Sequence, residues 1–177
     1  MIPGCFIISQ IIGGISVCIL LTYTLLKVNR KIILWVTVTT NLLWLVHYIL
    51  LKAYSGALCS MVCAIMSCVF SYKGRNKVLS SNILPVLFGT IFIIIGIATW
   101  DNFYSLLPVT CEILLVIALW LDRELLIKTM CIPVAAIWVI YNLIYFSWLG
   151  MIGQALSLLF HIYYVVNVWL KRKKSTT

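Results

Sequence analysis

Long apolar runs separated by short polar clusters set the rhythm of this chain. A helix needs ~20 apolar residues, at ~1.5 Å rise each, to cross the ~30 Å hydrocarbon core of a bilayer. By that measure seven spans are expected, over residues 5–26, 32–51, 54–72, 82–100, 103–121, 125–146 and 148–170. Each run is far too long for a barrel strand. A segment in lipid must also satisfy its backbone internally, so helices are required. The expectation is one all-α polytopic membrane domain over 1–177, ending in a basic tail at 171–177.

The polar clusters test this count. With the N-terminus outside, the inner loops collect Lys27, Arg30 and Lys31, then Lys73, Arg75 and Lys77, then Arg123 and Lys128, and finally Lys171, Arg172, Lys173 and Lys174. The outer loops keep Lys52 alone. Positive residues stay on the cytoplasmic side, so twelve against one supports an N-out, C-in topology, which a missed or invented helix would scramble.

The second and third runs, LLWLVHYILLKAYSGALCSMVCAIMSCVF, return downstream as AIWVIYNLIYFSWLGMIGQALSLLFHIYY. An ungapped shift of 94 residues places Trp44 on Trp138, Tyr54 on Trp148 and Gly56 on Gly150. The expected arrangement is therefore 3+1+3. Repeat one covers 5–72, a linker helix 82–100, and repeat two 103–170. A three-helix unit ends on the side opposite its start, so one linking helix must return the chain and the repeats are parallel, as in sugar-transporting SWEET proteins.

Composition sharpens the class. The chain is 64% hydrophobic and 10% charged, with mean hydropathy +1.14. No water-soluble interior of this size hides so much apolar surface, so lipid must be the solvent. The net charge of +9 lies in loop clusters, which argues for topology and against a nucleic-acid face. The opening MIPGCFIISQ lacks the basic region and small-residue site of a cleaved leader and reads as the outer end of the first span. Most of the seven cysteines sit inside apolar runs, where cysteine is a small hydrophobe, and a disulfide framework is not expected.

Candidate chemistry is sparse. Glu112 is the acid placed inside a helix, ~13 Å below the outer end by helical rise, and His161 lies at ~18 Å. An intramembrane ionisable group is a functional candidate by default. If the first and third helices of a unit are neighbours, Glu112 and His161 can meet as a proton-carrying pair; the plain alternative is a neutral Glu112 bonded to a carbonyl. His47, at ~6 Å depth, reads as an interfacial or pore-mouth group, and its distance from His161 disfavours bis-histidine haem. Cys59, Cys63 and Met66 share a face that would suit a soft metal, but a packing stripe is the ordinary reading. No cofactor is expected. Ser60 and Gln154 each lie four residues beyond the paired glycines, so both should face any cavity between repeats, with Trp44, Trp138 and Asn142 completing the expected substrate-binding set. Gly13, Gly14, Pro108 and Pro133 are candidate hinges, since proline removes a backbone donor and glycine a side-chain restraint. Pro108 maps on Gly14, but Pro133 maps on Thr39.

The stretches NLLWLVHYILLKAYSGAL, ALWLDRELL and AIWVIYNLIYFSWLGMIGQALSLL resemble the YgjV-type bacterial inner-membrane proteins, across Ile8 to Leu170. That resemblance implies residence in the bacterial inner (cytoplasmic) membrane and a place near the PQ-loop and SWEET-like superfamily, whose members look like transporters by fold. Neither half carries a Pro-Gln dipeptide. SWEET-like cavities tend to carry paired Trp and Asn; here Trp44 and Trp138 match the Trp part, while the third and seventh helices offer Ser60 and Gln154. The expected function is a transporter or facilitator of a small polar metabolite, working by alternating access, with proton coupling through Glu112 as an option. The other reading is a non-transporting scaffold or sensor. No recognised nucleophile arrangement points to an enzyme. Expected partners are membrane lipids, an unknown small solute and, optionally, further copies of the chain.

Overall fold

The computed structural model describes residues 3–25, 29–121 and 123–174. Lys27, the end of the first expected span at 26 and the tail at 175–177 lie outside the described residues. Seven α-helices follow one another: α1 Pro3–Leu25, α2 Arg30–Leu50, α3 Tyr54–Ser71, α4 Ile83–Ala98, α5 Leu106–Trp120, α6 Glu124–Ile144 and α7 Trp148–Lys174. There is no strand among the described residues. Among the described residues six spans are long and apolar enough to cross a membrane. The exception is α4, whose 16 residues extend ~24 Å instead of the full span expected over 82–100. The start of the fifth expected span is also different: Phe103–Ser105 forms a 3₁₀ turn before α5.

The helices form a ring. α1 packs on α2, α2 on α3, α3 on α5, α5 on α6, α6 on α7, and α7 closes back on α1, while α4 lies outside against α3 and α5. The expectation that the first and third helices of each unit are neighbours is corrected here. α6 packs extensively on both α5 and α7, which share no extensive interface with each other. The outward faces carry large apolar side chains such as Ile7, Ile15, Val86, Ile97 and Leu159, which in a bilayer need no protein partner.

The two helical corners are built alike. After α2, Lys52 donates its N–H to Ile49 O and Ala53 donates to Tyr48 O; after α6, Phe146 donates to Leu143 O and Ser147 to Asn142 O. These are paired Schellman caps, which satisfy the last carbonyls of a helix. Each needs a left-handed residue, and both sites use a side-chain-bearing one, Lys52 at φ 60° and Phe146 at φ 56°. The bonds that flank them, Leu51 to His47 and Ala57 to Ala53, recur as Tyr145 to Tyr141 and Met151 to Ser147. All of these positions differ by the same 94 residues.

The opposite end of the bundle is capped by cations. Arg30 donates through Nε and Nη2 to Leu119 O and through Nη1 to Phe70 O. Lys73 donates to Trp120 O at 2.6 Å and its ammonium lies 4.1 Å from the Trp120 ring centroid. The carbonyl ends of α3 and α5 thus meet positive charge, the favourable sign for a helix C-terminus. Residues that read as topology signals also tie the helix ends together.

Close backbone approach is concentrated at the corner end. A Cβ on Gly56 would stand 2.8 Å from Tyr141 Oη and 2.9 Å from its Cε1, whereas one on Gly89 meets nothing within 4 Å. Gly56→Ala should therefore cost ~1–3 kcal/mol by overpacking. Gly89→Ala should be neutral or gain up to ~1 kcal/mol in helix propensity. Unfolding midpoints of the two purified variants in detergent test that order.

Candidate functional site

Inside the ring lies a cavity of about 90 Å³. It has room for a few waters or one small ligand and falls well below the ~300 Å³ where sites for drug-sized molecules begin. Trp44, Ser60, Glu112, Trp138, Gln154 and His161 all line it, so side chains from α2, α3, α5, α6 and α7 converge on one space. Asn142, expected among them, does not line it. Its side chain sits one layer behind, donating to Trp138 O at 2.8 Å and accepting from Tyr48 Oη at 3.2 Å.

Three buried polar atoms in the lining have no hydrogen-bond partner: Ser60 Oγ, Glu112 Oε2 and His161 Nε2. Their residues are only 1–2% exposed. Leaving such a group unpaired costs ~1–3 kcal/mol, more for a charged one, and three in one cavity need a ligand or water to account for them. His161 Nδ1 lies 2.6 Å from Ser157 O. That contact requires a proton on Nδ1, so in neutral His161 the unpartnered Nε2 is a bare acceptor. No hydrogen bond joins Glu112 to His161. The two share the cavity without forming the expected pair, because α6 separates their helices along the ring. Titratable groups close to Glu112 are the thiols of Cys59 and Cys63 on α3, Cys111 on its own helix, and the Tyr48 phenol on α2.

The corner end of the cavity is closed by aromatic rings. Tyr48 stacks on Trp44 with centroids 5.6 Å apart and on Trp138 at 5.5 Å, so it is sandwiched between the two tryptophans. Tyr141 meets Tyr48 and Trp138 edge-on and accepts the Gly56 N–H on its hydroxyl at 3.0 Å. His47 is fully buried. Its Nδ1 lies 2.6 Å from Ser9 O and its Nε2 2.7 Å from Ser147 Oγ, so it bridges α1, α2 and the α6–α7 corner. The expectation of a pore-mouth group is corrected: Gly13 on α1 approaches within the space of one Cβ of the imidazole and shields it.

A family model for a bacterial inner membrane protein, Imp-YgjV, matches residues 7–172. The chain belongs to the Imp-YgjV family. No curated protein and no solved structure matches it. As a family of bacterial inner membrane proteins, Imp-YgjV fits the ring of apolar helices and their lipid-facing residues.

In this Imp-YgjV chain the expected hinges divide. Gly13 and Gly14 serve close packing, against His47 and Leu149. Pro108 falls in the first turn of α5, where the N–H it lacks has no intrahelical acceptor, so it starts the helix and does not bend it. Pro133 is inside α6, where it does remove a ladder bond. Cys59, Cys63 and Met66 are fully buried in the apolar core. Among the described residues no group of three or more His, Cys, Asp or Glu is placed to hold a metal ion.

The residues missed by sequence reasoning are Tyr48, Tyr141 and Ser147. One signal was present: Tyr48 is the 94-residue mate of Asn142, and mates near a repeat axis touch. Tyr48→Phe keeps the stacking but leaves Asn142 Oδ1 without its donor, an expected loss of ~1–3 kcal/mol. Trp138→Ala empties the stack and should cost ~3–5 kcal/mol. Denaturation in detergent micelles checks this ranking, and equal losses would show that the hydroxyl matters as much as the Trp138 ring.

Proposed function

We propose that this protein is a small transporter or facilitator that moves a small polar solute across the bacterial inner membrane by alternating access. The observation that carries this reading is the buried cavity between the two halves, lined by the unpartnered Ser60, Glu112 and His161. A scaffold or sensor needs no such cavity and would be expected to join its halves through closed apolar packing. The four acids and two histidines of the chain include no nucleophile arrangement that would favour an enzyme.

The halves are parallel repeats, α1–α3 and α5–α7, linked by α4, with the N-terminus outside and the C-terminus inside, in the manner of SWEET-like proteins. Support comes from the matched Schellman corners and from the ring, in which α1·α2, α2·α3 and α3·α5 become α5·α6, α6·α7 and α7·α1 on exchange of halves. The short α4 still returns the chain, since local bilayer thinning accommodates a few ångströms of mismatch. The Trp44–Tyr48–Trp138 stack then closes the outer side. Outward opening would break the cross-half bonds His47–Ser147, Tyr48–Asn142 and Gly56–Tyr141, while rocking about the cavity keeps the solute site near the midplane.

Glu112 is the proton-coupling residue of this scheme, because it is the carboxyl in the cavity lining and has an oxygen without a hydrogen-bond partner. A thermal-shift screen of purified protein against metabolite pools identifies the solute, since a ligand that binds only the folded state raises the melting temperature. Uptake of that solute into proteoliposomes should then depend on pH in the wild type and lose that dependence in Glu112→Gln, with the melting temperature preserved. Unchanged pH dependence in the variant would dispose of coupling through Glu112.

A further inference from the structure

The chemistry of the cavity wall selects the kind of ligand. Around it, most donors are already engaged. Thr37 donates to Ile33 O at 2.8 Å, Thr40 to Val36 O at 2.9 Å, the Asn41 amide to Thr37 O at 2.9 Å, and Tyr48 to Asn142. Hydroxyls that donate to their own helix keep oxygen lone pairs as acceptors, and the Asn41 amide keeps Oδ1. His161 adds a bare nitrogen acceptor and Glu112 a carboxyl oxygen. The remaining donors, Ser60, Gln154 and the indoles, are neutral. No lysine or arginine among the described residues lines the space; Lys128, buried on α6 outside the lining, acts on His161 by its charge.

An anion would face a carboxyl with no lining cation to hold it. A neutral polyol would leave the charge of the Glu112 carboxyl uncompensated. A small cation is favoured by the carboxyl and by the rings of Trp44, Tyr48 and Trp138, whose faces attract positive charge. The nitrogen acceptor decides among cations: hard metal ions prefer oxygen ligands, whereas an ammonium N–H bonds well to His161 Nε2. Apolar wall residues, including Leu115, Leu119 and Val134, suit a short alkyl group.

We infer that the cavity is a binding site for ammonium or a short primary alkylammonium ion, with Glu112 as counter-ion and Ser60 and His161 Nε2 as acceptors of its N–H groups. This rests on the transport reading only for the direction of movement; binding stands by itself.

The test uses methylammonium chloride as probe on the purified full chain in detergent at pH 8, with sodium chloride and potassium chloride at equal concentration as controls. The expected result is a saturable rise in melting temperature with methylammonium alone. Glu112→Gln should weaken it about tenfold or more, the worth of one charge-assisted hydrogen bond, and Glu112→Asp should restore part of it. Should Glu112→Gln fail to fold, Ser60→Ala carries the same test with a smaller loss. No saturable response, an equal response to sodium or potassium, or undiminished binding in folded Glu112→Gln or Ser60→Ala would each overturn the assignment. Saturable binding without flux into proteoliposomes would support it while overturning transport. Flux of another solute without methylammonium binding would overturn it and leave transport standing.

Discussion

The stacking of Tyr48 between Trp44 and Trp138 is the contact on which the rest of the molecule turns. It joins α2 to α6, where lipid gives no hydrophobic reason for helices to associate. In a bilayer, apolar side chains are as comfortable against acyl chains as against protein, so association depends on packing and polar bonds. The stack supplies the packing. The polar bonds cluster around it: Tyr48 to Asn142, Gly56 to Tyr141, and His47 to Ser147 and Ser9. With the corner end held in this way, the ring encloses its cavity.

The same physics makes the cavity informative. Elsewhere in the spans, hydroxyls such as those of Thr22, Thr90, Thr110 and Thr129 close onto their own helix backbone, so the bilayer sees no unmet donor. Glu112, Ser60 and His161 break that pattern together and in one place. A single unpaired atom could be a packing accident. Three on different helices around a shared space are better explained by a ligand or water that completes them. The fourth unpaired atom, Ser67 Oγ, lies outside that lining.

Much of the architecture was legible before any coordinates. The helix bounds differ from those read in the apolar runs by only a few residues, and the 94-residue echo located both corners, including Gly56 and Gly150. Ser60 and Gln154, placed by that echo one turn beyond the glycines, do share a wall with Trp44 and Trp138. Other residues were misjudged for identifiable reasons. His47 looked interfacial because depth along a helix was known but rotation about its axis was not. Pro108 looked like a hinge because the 3₁₀ turn that precedes α5 has no apolar signature. Asn142 was expected in the cavity as one of the few neutral polar groups in the spans, yet its side chain is taken up by Trp138 O and the Tyr48 hydroxyl one layer behind.

Length and composition by themselves determined that this chain is helical and lives in lipid, because backbone satisfaction and rise per residue are local constraints that every ~20-residue apolar run must meet. The ends of the apolar runs and their 94-residue echo also marked where the helices turn. Only the tertiary structure decided which polar atoms meet. A helix that is apolar on nearly every face carries little periodic signal of which side points inward, so its rotation is set by its neighbours. That rotation brought Glu112, Ser60 and His161 to one cavity, and withdrew His47 and Asn142 from it.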